Sequence, residues 1–117
     1  MLKITQPNTT PFWIDIAGRA RVQVKPVTVA AIIAARQAAA DAIRTAGEDA
    51  STGVAAFTRS LARWGILAWE GIGDADGKPV DPSPENIDAL LEVLPAFDAI
   101  DRFYVLPALI GSQEKNG

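Results

Sequence analysis

Phe12-Trp13-Ile14-Asp15-Ile16-Ala17-Gly18-Arg19-Ala20-Arg21-Val22-Gln23-Val24-Lys25-Pro26 is the stretch that decides the fold class. Phe12, Ile14 and Ile16 alternate with Trp13, Asp15 and Ala17. Beyond Gly18, the residues Ala20, Val22 and Val24 alternate with Arg21, Gln23 and Lys25. Two period-two runs around a glycine predict a β-hairpin with one apolar face, over about residues 11–25. Register narrows the turn. A two-residue Gly18-Arg19 connection would set Ile16 opposite Arg21 and put the apolar sets on opposite faces. Pairing Ile16 with Ala20 aligns them, so an odd-length turn or a bulge at Gly18 is expected. Pro26 ends the second strand because it has no amide hydrogen for the ladder. Leu2-Lys3-Ile4-Thr5 is expected to add a short edge strand.

The rest of the chain reads as helix. Thr28 to Ala46 has Thr28 as N-cap and Gly47 as its C-terminal stop. Its stripe of Ile32, Ala35, Ala39 and Ile43 is mostly small, which permits close approach of a neighbour but buries little area. A polar break, Glu48 to Ser51, precedes a second helix with Val54, Phe57, Leu61, Trp64 and Ala68 on one face. The apolar run Gly65-Ile66-Leu67-Ala68-Trp69 is expected at the centre of the domain, with Trp13, Trp64 and Trp69 as packing anchors. A loop from Gly71 to Pro82 comes next, dense in turn formers. Ser83 then caps a helix with Pro84 at its first position, Glu85 in its first turn and Ile87, Leu90, Leu91 and Leu94 as its stripe. Pro95 restarts the chain into a last helix carrying Phe97, Ile100, Phe103 and Tyr104, which Pro107 should kink or end. The expected fold class is therefore mainly α (α+β): a short N-terminal β-hairpin followed by about four helices, over about residues 28–110, packed as a small bundle. One domain is expected over 1–111, with a flexible polar tail at 112–117.

Composition excludes several function classes. The 117 residues contain no cysteine and no histidine. Disulfides, thiolate metal sites, cysteine nucleophiles and the commonest neutral-pH general base are thereby removed. Ser51, Ser60, Ser83 and Ser112 sit where loop, helix surface, cap and tail explain them, so no enzyme activity, cofactor or metal is expected. Asp74-Ala75-Asp76-Gly77 resembles the start of a calcium loop, but Lys78 and Pro79 occupy the fifth and sixth positions, which need an oxygen ligand and a glycine. A plain turn is the better reading. Arg19, Arg21 and Lys25 on the hairpin make a weak basic footprint, and nucleic acid is not expected as a partner.

Charge is unevenly spread. Residues 1–70 carry eight Lys/Arg against five Asp/Glu, whereas residues 71–117 carry three against nine. An acidic C-terminal half repels polyanions and keeps a protein soluble beside an apolar partner. No run is apolar enough to span a bilayer, and Met1 to Pro7 lacks the layout of a signal peptide, so a cytoplasmic protein is expected. Phe103, Leu106, Leu109 and Ile110 read either as core cover or as an exposed patch of the kind that binds protein.

From about Trp64 onward the chain resembles the tail assembly chaperones of long-tailed bacteriophages, which prophages and gene-transfer agents also encode. The resemblance rests on Trp64, on Gly73-Asp74-Ala75-Asp76-Gly77-Lys78-Pro79-Val80, on Ser83-Pro84-Glu85, and on the leucine helix Ile87 to Pro95. It implies a non-catalytic virion-assembly protein that binds the tape-measure protein, keeps it soluble while tail-tube subunits assemble, and leaves before maturation. Partners implied are the tape-measure protein and the tail-tube protein; self-association is a further option. In that reading Phe103, Leu106, Leu109 and Ile110 touch the partner. Such chaperones are often made in two lengths by frameshifting, and Glu114-Lys115-Asn116 is compatible with an A-rich slippery run, though a polar tail of this composition is common. The alternative is a structural head–tail or tail component of a phage-like particle, and a small DNA-binding regulator is a third.

Overall fold

The hairpin forms as its alternation requires. In the computed structural model, which describes residues 1–47 and 50–111, β1 (Phe12–Asp15) pairs antiparallel with β2 (Arg21–Val24). Ile14 faces Val22, and the Ile16 amide donates to the Ala20 carbonyl at 3.0 Å across the three-residue connection Ala17-Gly18-Arg19. Gly18 takes a φ of 64°, the left-handed region that only glycine adopts freely. Ile14, Ile16, Val22 and Val24 are all buried on one face.

The third strand is not the expected one. Leu2 to Thr5 forms no strand; Leu2 and Ile4 are fully exposed. Instead β3 (Ile66–Glu70) pairs with β2, giving the order β1-β2-β3. The apolar run after Trp64 is thus an edge strand and not the centre of the domain. Gly65 ends the preceding helix, and the isoleucine and tryptophan beyond it suit a pleated surface. Because Val24 faces Ile66 while Gln23 faces Ala68, Leu67 is an extra residue that bulges out, half exposed. Arg21 and Glu70 stand opposite each other and join at 2.6 Å, and Trp69 Nε1 donates to the Val80 carbonyl.

Two antiparallel helices follow the hairpin, α1 (Val29–Ala46) and α2 (Ala50–Gly65). Thr28 Oγ1 accepts from the Ala31 amide at 3.1 Å, and Gly47 closes α1 in the left-handed conformation, both as expected. The buried faces are rotated from the expected stripes. On α1 only Ala31 and Ala35 are buried; Ile32, Ala39 and Ile43 are half-buried. On α2 the buried side chains are Ala56, Thr58, Leu61 and Ala62, while Val54 is exposed and Ala68 lies on β3. The small residues do allow close packing: a Cβ on Gly53 would meet Ile43 Cδ1 at 2.6 Å. Of the polar break expected at Glu48 to Ser51, Ala50 and Ser51 already belong to α2, while Glu48-Asp49 and the tail at 112–117 lie outside the described residues.

The Asp74 turn closes on itself, with its carboxylate accepting from the Asp76 and Lys78 amides. Next comes α3 (Pro84–Leu91), capped by Ser83 Oγ on the Asn86 amide, with Ile87 and Leu91 buried. Leu94, expected on that stripe, instead begins α4 (Leu94–Ile100) and is exposed, with Pro95 in the first turn. The chain then passes through a π-helical turn, Asp101–Val105, into α5 (Leu106–Leu109). Pro107 therefore does not end the helix. Its ring would clash with the carbonyl four residues back in an α-helix. Here the preceding turn is widened, and the Leu106 amide reaches back five residues to the Asp101 carbonyl. One residue inserted into a turn also rotates the downstream helix by about 100°. Tyr104 and Val105 can then both be buried, with Phe103 and Leu106 on either side of them exposed.

The core lies between the sheet's apolar face and this layer of helices. Val22, Val24, Leu61, Ala62, Ile100, Tyr104 and Val105 form its centre. Among the described residues no helix is long and apolar enough to cross a membrane.

Candidate protein-binding groove

Helix α2 has more apolar surface than the sheet can cover. α1 packs along one side of it and the π turn along another, and together they leave an open groove of about 630 Å³. Ala39 and Ile43 come from α1, Val54, Phe57 and Thr58 from α2, and Val105, Leu106 and Leu109 from the C-terminal segment. Val54 is 57% exposed, Leu106 47% and Leu109 46%, so water reaches the apolar walls. Exposed apolar surface costs roughly 25 cal/mol per Å², which a covering partner would recover.

The groove carries few polar groups. Arg36 stands on α1 and Asp101 on the π turn, and neither joins an ion pair among the described residues. Partial burial raises the pKa of the Asp101 carboxyl, and the charge of Asp98 raises it further. Thr58 also lines the groove; it is 1% exposed, and its hydroxyl has no hydrogen-bond partner among the described residues. Buried hydroxyls are usually satisfied. Tyr104, a residue of the π turn, is fully buried and donates to the carbonyl of Lys25, just past β2, at 2.7 Å, which ties the π turn to the end of that strand. Burial pushes its phenol up, so it stays a donor.

The four residues expected to bind protein are all exposed. Leu106 and Leu109 line the groove. Phe103 lies outside it; it shares one hollow with Leu106 and lines another with Phe12, Trp13, Ile14 and Asp15 on the hairpin. Ile110 is 76% exposed beyond the end of α5 and lines none of these hollows. Ile43, Val54 and Phe57 complete the groove, although their helical spacing assigns them to core stripes. Nothing in the sequence separates them from core residues: Val54 and Phe57 share a helical face with Leu61.

Two of the three basic residues of the hairpin are engaged within the fold, and Arg19 is exposed. Arg21 pairs with Glu70 and lies 4.1 Å from the Trp13 ring centroid, and Lys25 Nζ sits 4.2 Å from that of Trp64. Arg63 binds Asp88 through two nitrogens, with Arg59 beside them, joining α2 to α3. Among the described residues no group of three or more acidic side chains is placed to hold a metal ion.

A family model described as YdaY prophage protein matches residues 24–101, from the end of β2 to the first residue of the π turn. The α1 and α2 walls of the groove fall inside that match; Val105, Leu106 and Leu109 fall outside it. No curated protein and no solved structure matches this chain.

Proposed function

Because the chain belongs to the YdaY prophage protein family, and is thus prophage-derived, we propose that it is a non-catalytic assembly chaperone for a phage-type tail. Its client is the tape-measure protein, a long helical chain that must stay soluble while tail-tube subunits gather around it. The open groove carries this reading. An amphipathic helix docks by laying apolar side chains three and four residues apart into such a trough. Val54, Phe57, Leu106 and Leu109 supply apolar walls, and the acidic C-terminal half keeps the complex soluble. Phe103 and Ile110 extend the contact beyond the groove. The absence of histidine and cysteine fits a protein that binds and does not catalyse. It acts in the host cytoplasm, where tails assemble.

Co-expression with the tape-measure protein of the same prophage tests the reading. The wild-type chain should co-purify with it and raise its soluble yield. Val54→Asp and Leu109→Asp should each abolish capture while leaving the circular dichroism spectrum unchanged. Capture that survives both substitutions would remove the groove from the account. The competing reading, a permanent tail or head–tail component, predicts the chain at fixed stoichiometry in finished particles; a chaperone is missing from them. Mass spectrometry of purified particles separates the two.

A further inference from the structure

We propose that a second copy of this chain covers the groove before any client arrives, in a twofold dimer that sets Arg36 of each copy against Asp101 of the other. This goes beyond the chaperone reading and does not depend on it. Three observations lead to it. First, the groove is apolar and wet: Val54, Leu106 and Leu109 are each about half exposed, which favours self-association where no client is present.

Second, its two charged lining residues have opposite signs and come from different walls, Arg36 from α1 and Asp101 from the π turn. Neither has an ionic partner among the described residues, although Arg21, Arg44, Arg59 and Arg63 all do. Third, the symmetry suits them. In an isologous interface, when residue i meets j, then j meets i. A twofold axis running along the groove turns the α1 wall of one copy onto the π-turn wall of the other. One Arg and one Asp from different walls, each without an ionic partner among the described residues, are then satisfied twice over. A heterologous client would need to supply both charges itself. The neighbouring Asp98 adds negative potential beside Asp101, so a guanidinium approaching that wall relieves two carboxylates. Close charge pairs of this kind fix orientation and exclude wrong registers.

Sedimentation velocity on the full chain, without tape-measure protein, tests the dimer from micromolar to several hundred micromolar. A concentration-dependent dimer is expected. Arg36→Asp alone and Asp101→Arg alone should each weaken it by about tenfold or more, because each puts like charges face to face. The double variant Arg36→Asp/Asp101→Arg restores opposite charges and should return to within about threefold of wild type. Both positions are partly or wholly exposed, so circular dichroism should show all three variants folded. A chain that stays monomeric throughout overturns the proposal. A dimer indifferent to the single substitutions, or a double variant no better than the singles, overturns the arrangement. Client capture can fail while the dimer persists, and the reverse, so the two readings fall separately.

Discussion

Replacing Gly65 with alanine sets two effects of opposite sign against each other. Gly65 is the last residue of α2, and helix propensity alone favours alanine there by up to about 1 kcal/mol. Packing opposes it. A Cβ at this position would lie 1.8 Å from Tyr104 Oη and 2.7 Å from Cζ. Tyr104 is fully buried, so its ring cannot swing into solvent. Nor is the backbone free to retreat, because the Lys25 amide donates to the Gly65 carbonyl at 3.0 Å. Overpacking of this kind costs roughly 1–3 kcal/mol. Displacing Oη also removes its bond to the Lys25 carbonyl, about 1 kcal/mol more. Packing wins, and Gly65→Ala should destabilise the chain by about 1–3 kcal/mol. Urea unfolding followed by tryptophan fluorescence measures it. A cycle with Tyr104→Phe identifies the cause: once the oxygen is absent, the closest contact and the bond to Lys25 are both already gone. The double variant should therefore be more stable than the sum of the singles implies, by about 1 kcal/mol. Strict additivity, or a Gly65→Ala chain as stable as wild type, would refute the reasoning.

Further predictions concern polar groups around the groove and on α3. Thr58→Val removes a buried hydroxyl that has no partner among the described residues, so the urea midpoint should hold or rise, by no more than about 1 kcal/mol in stability. A clear loss would mean the hydroxyl is bonded. Asp88 is held below its ordinary value of 3.8, first by its hydrogen bond to Arg63. A depressed carboxyl contributes stability that is present above its unfolded value and fades as pH falls through the folded one. Asp88→Asn should flatten that part of the acid unfolding curve below about pH 4, with a small effect at neutral pH because the pair is solvent-exposed. Asp101 has the opposite sign: its raised folded value means stability is lost as pH climbs from the ordinary carboxylate range through that value. Asp101→Asn should therefore raise the urea midpoint of the chain at pH 7, measured at concentrations too low for dimer.

Much of the fold was legible because its signals are local. The hairpin register followed from alternation alone, and the structure pairs Ile16 with Ala20 as that alternation demands. Thr28, Gly47, Ser83, Pro84 and Pro95 mark helix ends by chemistry that acts within one turn. Two misreadings share a cause. Ile66 to Glu70 continues an apolar helical pattern, and only the free edge of β2 makes it a strand. Pro107 is expected to kink or end the helix, and instead the chain passes through a π turn that buries both Tyr104 and Val105 and continues as helix to Leu109. In each case a partner distant in sequence overrides the local preference, and that partner is invisible to a window of residues.

The groove was harder to read for a different reason. Periodicity tells which faces of a helix are apolar, but not which of them the rest of the chain covers. On α2, Val54 and Leu61 share one face two turns apart, yet Leu61 is fully buried in the core whereas Val54, nearer the start of the helix, is 57% exposed. A helix needs one apolar stripe to fold onto a sheet. Val54 and Phe57, at the N-terminal end of that stripe, line the groove with Leu106 and Leu109, so the fold of one copy leaves them incompletely covered. Folding cannot account for apolar residues it leaves half in water, and their conversion to polar ones should cost this chain little stability. If Val54→Ser and Leu109→Ser together leave the urea midpoint unmoved yet abolish both dimer and client capture, those side chains serve association. If the midpoint falls by more than about 2 kcal/mol in stability, they are core after all.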